Sequence, residues 1–228
     1  MEKLVQELVD AAKLAFDAND FELAEKKYVD ALYLMDNPEA EEYQTIVSEL
    51  EKCYTVQENY DGAKECLEEL YWHARKDKNL KKEAEYLHKL AVNARQTEEY
   101  DLAAIMCEEE LAFRMTHFPD DYIGLAETYH EAAMLSLLQR NPIKGKVYID
   151  KAKHYAEKSG DSIVIAGVLR GLGDYHFTIN ELEKARGLYL DSHYLYKLHR
   201  NHEAADELLK RIRCLDDRGQ HKNNEQKK

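Results

Sequence analysis

Leu169-Arg170-Gly171-Leu172-Gly173-Asp174-Tyr175, a polar break at Asn180-Glu181, and Leu182-Glu183-Lys184-Ala185-Arg186-Gly187-Leu188-Tyr189 form the stretch that decides the fold. Apolar residues recur at helical spacing on both sides of the break. Small residues, Gly173 and Ala185, stand twelve positions apart, and a large aromatic, Tyr189, follows four positions later. This pattern predicts two helices folded back on each other, with small residues where their backbones approach.

The same offsets return through the chain. Small residues equivalent to Ala185 stand at Ala24, Ala63, Ala103 and Gly145, so the period is 39 to 42 residues. Thirteen positions before each lies Ala11, Leu50, Leu90, Ala132 or Leu172, and four after lies Tyr28, Leu67, Cys107, Ile149 or Tyr189. Turns inside the five copies are expected at Asn19-Asp20, Glu58-Asn59, Glu98-Glu99, Arg140-Asn141-Pro142 and Asn180-Glu181. Asp36-Asn37-Pro38, Phe118-Pro119-Asp120-Asp121 and Ser159-Gly160-Asp161 separate copies, since proline and glycine interrupt the helical ladder. After His199-Arg200-Asn201 one more amphipathic helix, over about 202–216, is expected to cap the last copy. Residues 1–218 are expected to form one repeat domain, and the polar residues 219–228 a disordered tail.

Composition agrees with an all-α chain. The 228 residues include only 9 Gly and 3 Pro, 34% are charged and 44% hydrophobic. No apolar run is long enough to span a membrane, and no signal segment opens the sequence. Cys53, Cys66, Cys107 and Cys214 are widely spaced, which favours reduced thiols in a cytoplasmic protein over a disulfide framework or a zinc site. Residues 1–120 carry 14 Lys/Arg against 29 Asp/Glu, net −15, and residues 121–228 carry 18 against 16, net +2. This balance argues against a nucleic-acid backbone binder.

The small-residue and aromatic spacing resembles the tetratricopeptide repeat over about residues 5–216. The resemblance implies a right-handed α-solenoid of five helix pairs plus a C-terminal capping helix. The long period is also similar to that of bacterial peptide-pheromone receptors of the Rap and PlcR type and of kinesin light chain. Three positions depart from the pattern. Glu51 replaces the small residue of copy two, and Leu70 and Glu110 replace the small residue seven positions after the reference alanine, where looser or shifted packing is expected.

In that family the first helix of each pair lines a concave face. The resemblance places Val9, Lys13 and Phe16 there in copy one; Ser48, Lys52 and Thr55 in copy two; His88, Val92 and Arg95 in copy three. Copies four and five supply His130, Met134 and Leu137, then Arg170, Asp174 and Phe177. Arginines there can hold carboxylates as forks, and the apolar members can bury side chains. The expected ligand is therefore a peptide or protein segment, acidic in character, bound without cofactor or metal, with self-association as a further capacity. The Lys-Asn pair of chaperone-tail binders is absent from every copy, and none of the fifteen positions is the asparagine that pheromone receptors use. A relative of those receptors would be a sensor or antagonist without its own DNA-binding segment.

Catalytic look-alikes are weak. His130-Glu131-Ala132-Ala133-Met134 and His202-Glu203-Ala204-Ala205-Asp206 lack the second histidine of a zinc motif. Gly171-Leu172-Gly173 sits inside a helix with no strand before it, so helix packing explains it. His193, His199 and His202 fall near a helix end, where the dipole favours them. Tyr71-Trp72-His73 cannot all face inward at consecutive positions, so one aromatic is expected on the outer surface, where it could serve an adaptor or scaffold.

Overall fold

The computed structural model describes the backbone of residues 2–225 and the side chains of residues 3–215. Among the described residues there are eleven helices and no strand. They are α1 Glu2–Asp17, α2 Phe21–Tyr33, α3 Glu41–Val56, α4 Tyr60–Lys76, α5 Leu80–Gln96 and α6 Tyr100–His117; then α7 Tyr122–Leu138, α8 Pro142–Ser159, α9 Ser162–Thr178, α10 Leu182–Leu198 and α11 His202–Glu225. The chain is an all-α array of tandem helix pairs, as the repeat predicts. No helix of the described residues is long and apolar enough to cross a membrane.

One backbone rule closes seven of the turns. Asn19, Glu58, Lys78, Glu98, Arg140, Asn180 and Arg200 all take a left-handed φ of 55 to 63°. The N–H of the next residue reaches back five positions: Asn59 to Tyr54 O, Asn79 to Ala74 O and Asn141 to Ser136 O, each at 2.8 Å. These are Schellman closures, which satisfy carbonyls that the helix end leaves open. The residue after the left-handed one then caps the following helix. Asp20 accepts from Leu23 N, Asn59 from Gly62 N, Asn79 from Lys82 N and Asn141 from Lys144 N. A cap of this kind is worth about 1 kcal/mol. Glycine occupies the left-handed position only at Gly160, after α8.

Contacts group into two compact units, residues 1–106 and 107–228. In an array each pair touches chiefly its neighbours, so cores form locally. In the first unit Ala12, Ala24, Tyr28, Ala31, Leu50, Cys53, Leu67 and Leu70 are buried together. In the second, Tyr129, Ala133, Ile149, Ala152 and Leu172 form one cluster. Ala185, Tyr189, Tyr196, Leu208 and Ile212 form another, which joins α10 to α11. Burial pushes the Cys53 thiol up to about 11 and the Cys66 thiol up to about 12, with nearby glutamates adding to the effect.

At Glu110, where looser or shifted packing is expected, the structure has a buried ion network. Glu110 is fully buried and accepts from Arg114 Nε at 2.6 Å and Thr128 Oγ1 at 2.7 Å. Arg114 Nη1 also donates to Asp121 Oδ2 at 2.6 Å. Two hydrogen-bonded partners offset the desolvation of that carboxylate. The capping helix also runs longer than expected, through Glu225 rather than about 216. Residues 226–228 of the expected tail lie outside the described residues.

Candidate functional site

An open cleft of about 570 Å³ lies in the first unit. Phe16 of α1 contributes to its lining. Glu51, Lys52, Thr55 and Val56 of α3 form one wall; His88, Lys89, Val92, Asn93 and Gln96 of α5 form the other. Tyr60 and Leu67 of α4 complete the lining. Phe16 is held edge-on against Phe21, ring centroids 5.2 Å apart. Asn93 is committed to structure, donating from Nδ2 to Tyr60 O at 2.9 Å.

The charges of the cleft are paired within the protein. Glu51 is only 5% exposed; it accepts from Lys89 Nζ at 2.7 Å and from Thr55 Oγ1 at 3.0 Å. Lys52 Nζ sits 2.7 Å from Glu49 Oε1. The residue that breaks the small-residue pattern of copy two therefore anchors the polar side of the cleft. Thr55 and Glu51 lie one turn apart on α3, which is why the hydroxyl reaches the carboxylate.

Of the positions expected to line a groove, Phe16, Lys52, Thr55, His88 and Val92 meet in this cleft. Lys13 is exposed on α1 outside the lining, and Arg95 directs Nη1 toward Gln96 Oε1 at 3.4 Å. Sequence reasoning missed Glu51, Lys89 and Asn93. Lys89 and Asn93 each stand one residue beyond an expected lining position, His88 and Val92, so a helix face one residue wider would have included them.

In the second unit the expected lining residues are used internally. Met134 packs on the cluster around Tyr129, and Phe177 packs on the cluster that joins α10 and α11. The ring of His130 lies so close to Gly171 that a Cβ there would come within 2.5 Å of it. Asp174 accepts from Tyr189 Oη at 2.7 Å and pairs with Nη1 of Arg211 from α11. Glu207 of α11 accepts from Arg211 and lies 3.7 Å from Arg170 Nη1. Burial lowers the Arg211 affinity for its proton, but Asp174 and Glu207 outweigh it and hold the guanidinium charged. Burial, then Asp174, raises the Tyr189 phenol far above its ordinary range.

The remaining aromatic and histidine motifs divide between core and surface. Trp72 is 54% exposed with Lys76 Nζ 4.9 Å from its ring, whereas Tyr71 packs on the core and His73 is buried. Thus one of the three consecutive aromatics faces outward. His193 Nδ1 lies 2.9 Å from Ala205 O, and His199 Nε2 lies 2.6 Å from Ser162 Oγ.

Solved structures share this architecture. The chain aligns with a signal-transduction ATPase with a tetratricopeptide-repeat sensor from Pyrococcus horikoshii at a TM-score of 0.66 and 18% identity. That alignment covers 91% of this chain but 32% of the other, so the chain spans about a third of that protein. The tetratricopeptide-like repeats of a protein described as a kinesin light chain, from Podospora anserina, match at 0.64 and 14% identity, covering 86% and 96%. This chain has the tetratricopeptide-repeat fold. A Rap protein complexed with competence and sporulation factor also matches, at 0.54 and 11% identity, covering 92% and 74%. No family model matches the sequence. No curated protein matches it either.

Proposed function

We propose that the protein is a non-enzymatic interaction module that takes a peptide or protein segment in the cleft between α3 and α5. Its setting is the cytoplasm, in a regulatory or sensor role. The observation that carries this reading is the open cleft itself. Phe16, Val56 and Val92 offer an apolar floor, and no described side chain of the unit fills it. Burying one aliphatic or aromatic anchor there would contribute about 1.5–3 kcal/mol. Support also comes from the Rap protein, of similar fold, that was solved as a complex with competence and sporulation factor.

The acidic character expected of that segment rests on Arg95, Arg170, His88 and His130. Arg170 lies beside Glu207 of α11, and the cleft lysines have glutamate partners. The test is selection from a randomised peptide library against the full chain, followed by affinity measurements on Val92→Glu. Wild type enriches peptides with an apolar anchor, and Val92→Glu weakens them at least about tenfold by placing a charge on the apolar floor. A folded Val92→Glu that keeps every selected peptide would exclude the cleft.

A second reading rests on Trp72, whose exposed ring under Lys76 is suited to anchoring a partner. In that case Trp72→Ala removes binding and Val92→Glu does not.

A further inference from the structure

We infer that the segment taken by the cleft carries a cation, best an arginine, beside its apolar anchor. This rests on the peptide-binding reading above and adds the chemistry of the ligand. Residues 1–106 carry 25 Asp/Glu against 13 Lys/Arg, net −12, so the unit attracts cations at long range. At short range the two cleft lysines are already spoken for, Lys52 by Glu49 and Lys89 by Glu51.

An anionic ligand that took Lys89 as its partner would draw it away from Glu51. That would strand a carboxylate that is only 5% exposed and set a second negative charge near it. Breaking a buried pair by removing one partner is the costly outcome. A cationic ligand meets no such obstacle. Its guanidinium can replace Lys89 on Glu51, where a planar fork matches the carboxylate. Lys89, whose side chain is already 29% exposed, is then released to water. The aliphatic stem of the arginine lies against the apolar members of the lining, Phe16, Val56 and Val92.

The test uses three fluorescein-labelled dodecapeptide pools, random except for a central leucine flanked by arginine, by glutamine or by glutamate. Anisotropy is measured on the full chain at about 50 and about 300 mM NaCl, a range over which ionic screening changes strongly. The arginine pool binds at least about tenfold more tightly than the glutamate pool, and more weakly at the higher salt. Glu51→Gln brings the arginine pool down to the level of the glutamine pool. Lys89→Met, which removes the internal competitor, tightens the arginine pool severalfold and provides the reading if Glu51→Gln does not fold. Equal or tighter binding of the glutamate pool overturns the inference and leaves the cleft reading standing. An arginine preference unchanged in Lys89→Met, or in a folded Glu51→Gln, also overturns it, because the preference would then come from elsewhere. Failure of every pool to bind the folded chain overturns the cleft reading and this inference together.

Discussion

Gly173 and Gly187 sit in paired helices and are opposite cases. A Cβ at Gly173 would lie 2.4 Å from the Tyr189 ring, which is itself pinned by its bond to Asp174. At Gly187 a Cβ meets nothing within 4 Å. Gly173→Ala should therefore cost about 1–3 kcal/mol through overpacking. Gly187→Ala should add about 0.5–1 kcal/mol through helix propensity. Urea unfolding of both variants beside wild type checks the pair, and equal shifts would contradict it. The packing role of Gly173 was legible from its place in the repeat. The fate of Asp174 was not, because its cationic partner Arg211 lies 37 residues away on a helix that belongs to no complete copy. Glu51 was visible as a misfit, but its partner Lys89 comes from the next copy, 38 residues on. A periodic reading finds equivalent positions well, and it is blind to which unlike residues meet across copies.

The turn between α4 and α5 shows what an individual element needs. Lys78 holds the left-handed conformation at φ 55°, and Asn79 caps the next helix by accepting from Lys82 N at 3.2 Å. Asn79→Ala should cost about 1 kcal/mol by leaving that N–H without its side-chain acceptor. Lys78→Gly should leave stability unchanged or raise it by up to about 1 kcal/mol, since glycine enters this region without a Cβ penalty. Thermal melts by circular dichroism of the two variants would show opposite signs or a loss only for Asn79→Ala. Helix positions inside the copies were legible because polar breaks interrupt the apolar periodicity that marks the faces, whereas the Lys78-Asn79 turn has no proline or glycine to announce it. The length of α11 was not, because polar residues past Leu215 carry no burial pattern to read.

Across the molecule, many tyrosines and cysteines are held protonated. Burial, then Glu49, raises Tyr28 from 10.0 to about 12, and burial raises Cys53 and Cys66 from 9.0 to about 11 and about 12. In the unfolded chain these groups release protons from about pH 9 to 10; in the folded chain they do so only at about pH 11 to 12. Their contribution is thus complete below pH 9 and is lost as pH rises from 9 to 12. The urea midpoint should be flat from pH 7 to 9 and fall steadily above it, and a midpoint unchanged at pH 11 would contradict this. The array of helix pairs was legible from period and offsets alone, because each copy repeats one packing problem. The open cleft was legible only in part, since its volume depends on what neighbouring copies leave unfilled. The turns carry one more consequence. Seven of them adopt one backbone shape with asparagine, glutamate, lysine or arginine at the strained position. Geometry imposed by main-chain hydrogen bonds places little demand on residue identity there. Such joints can drift in sequence while the architecture stays put.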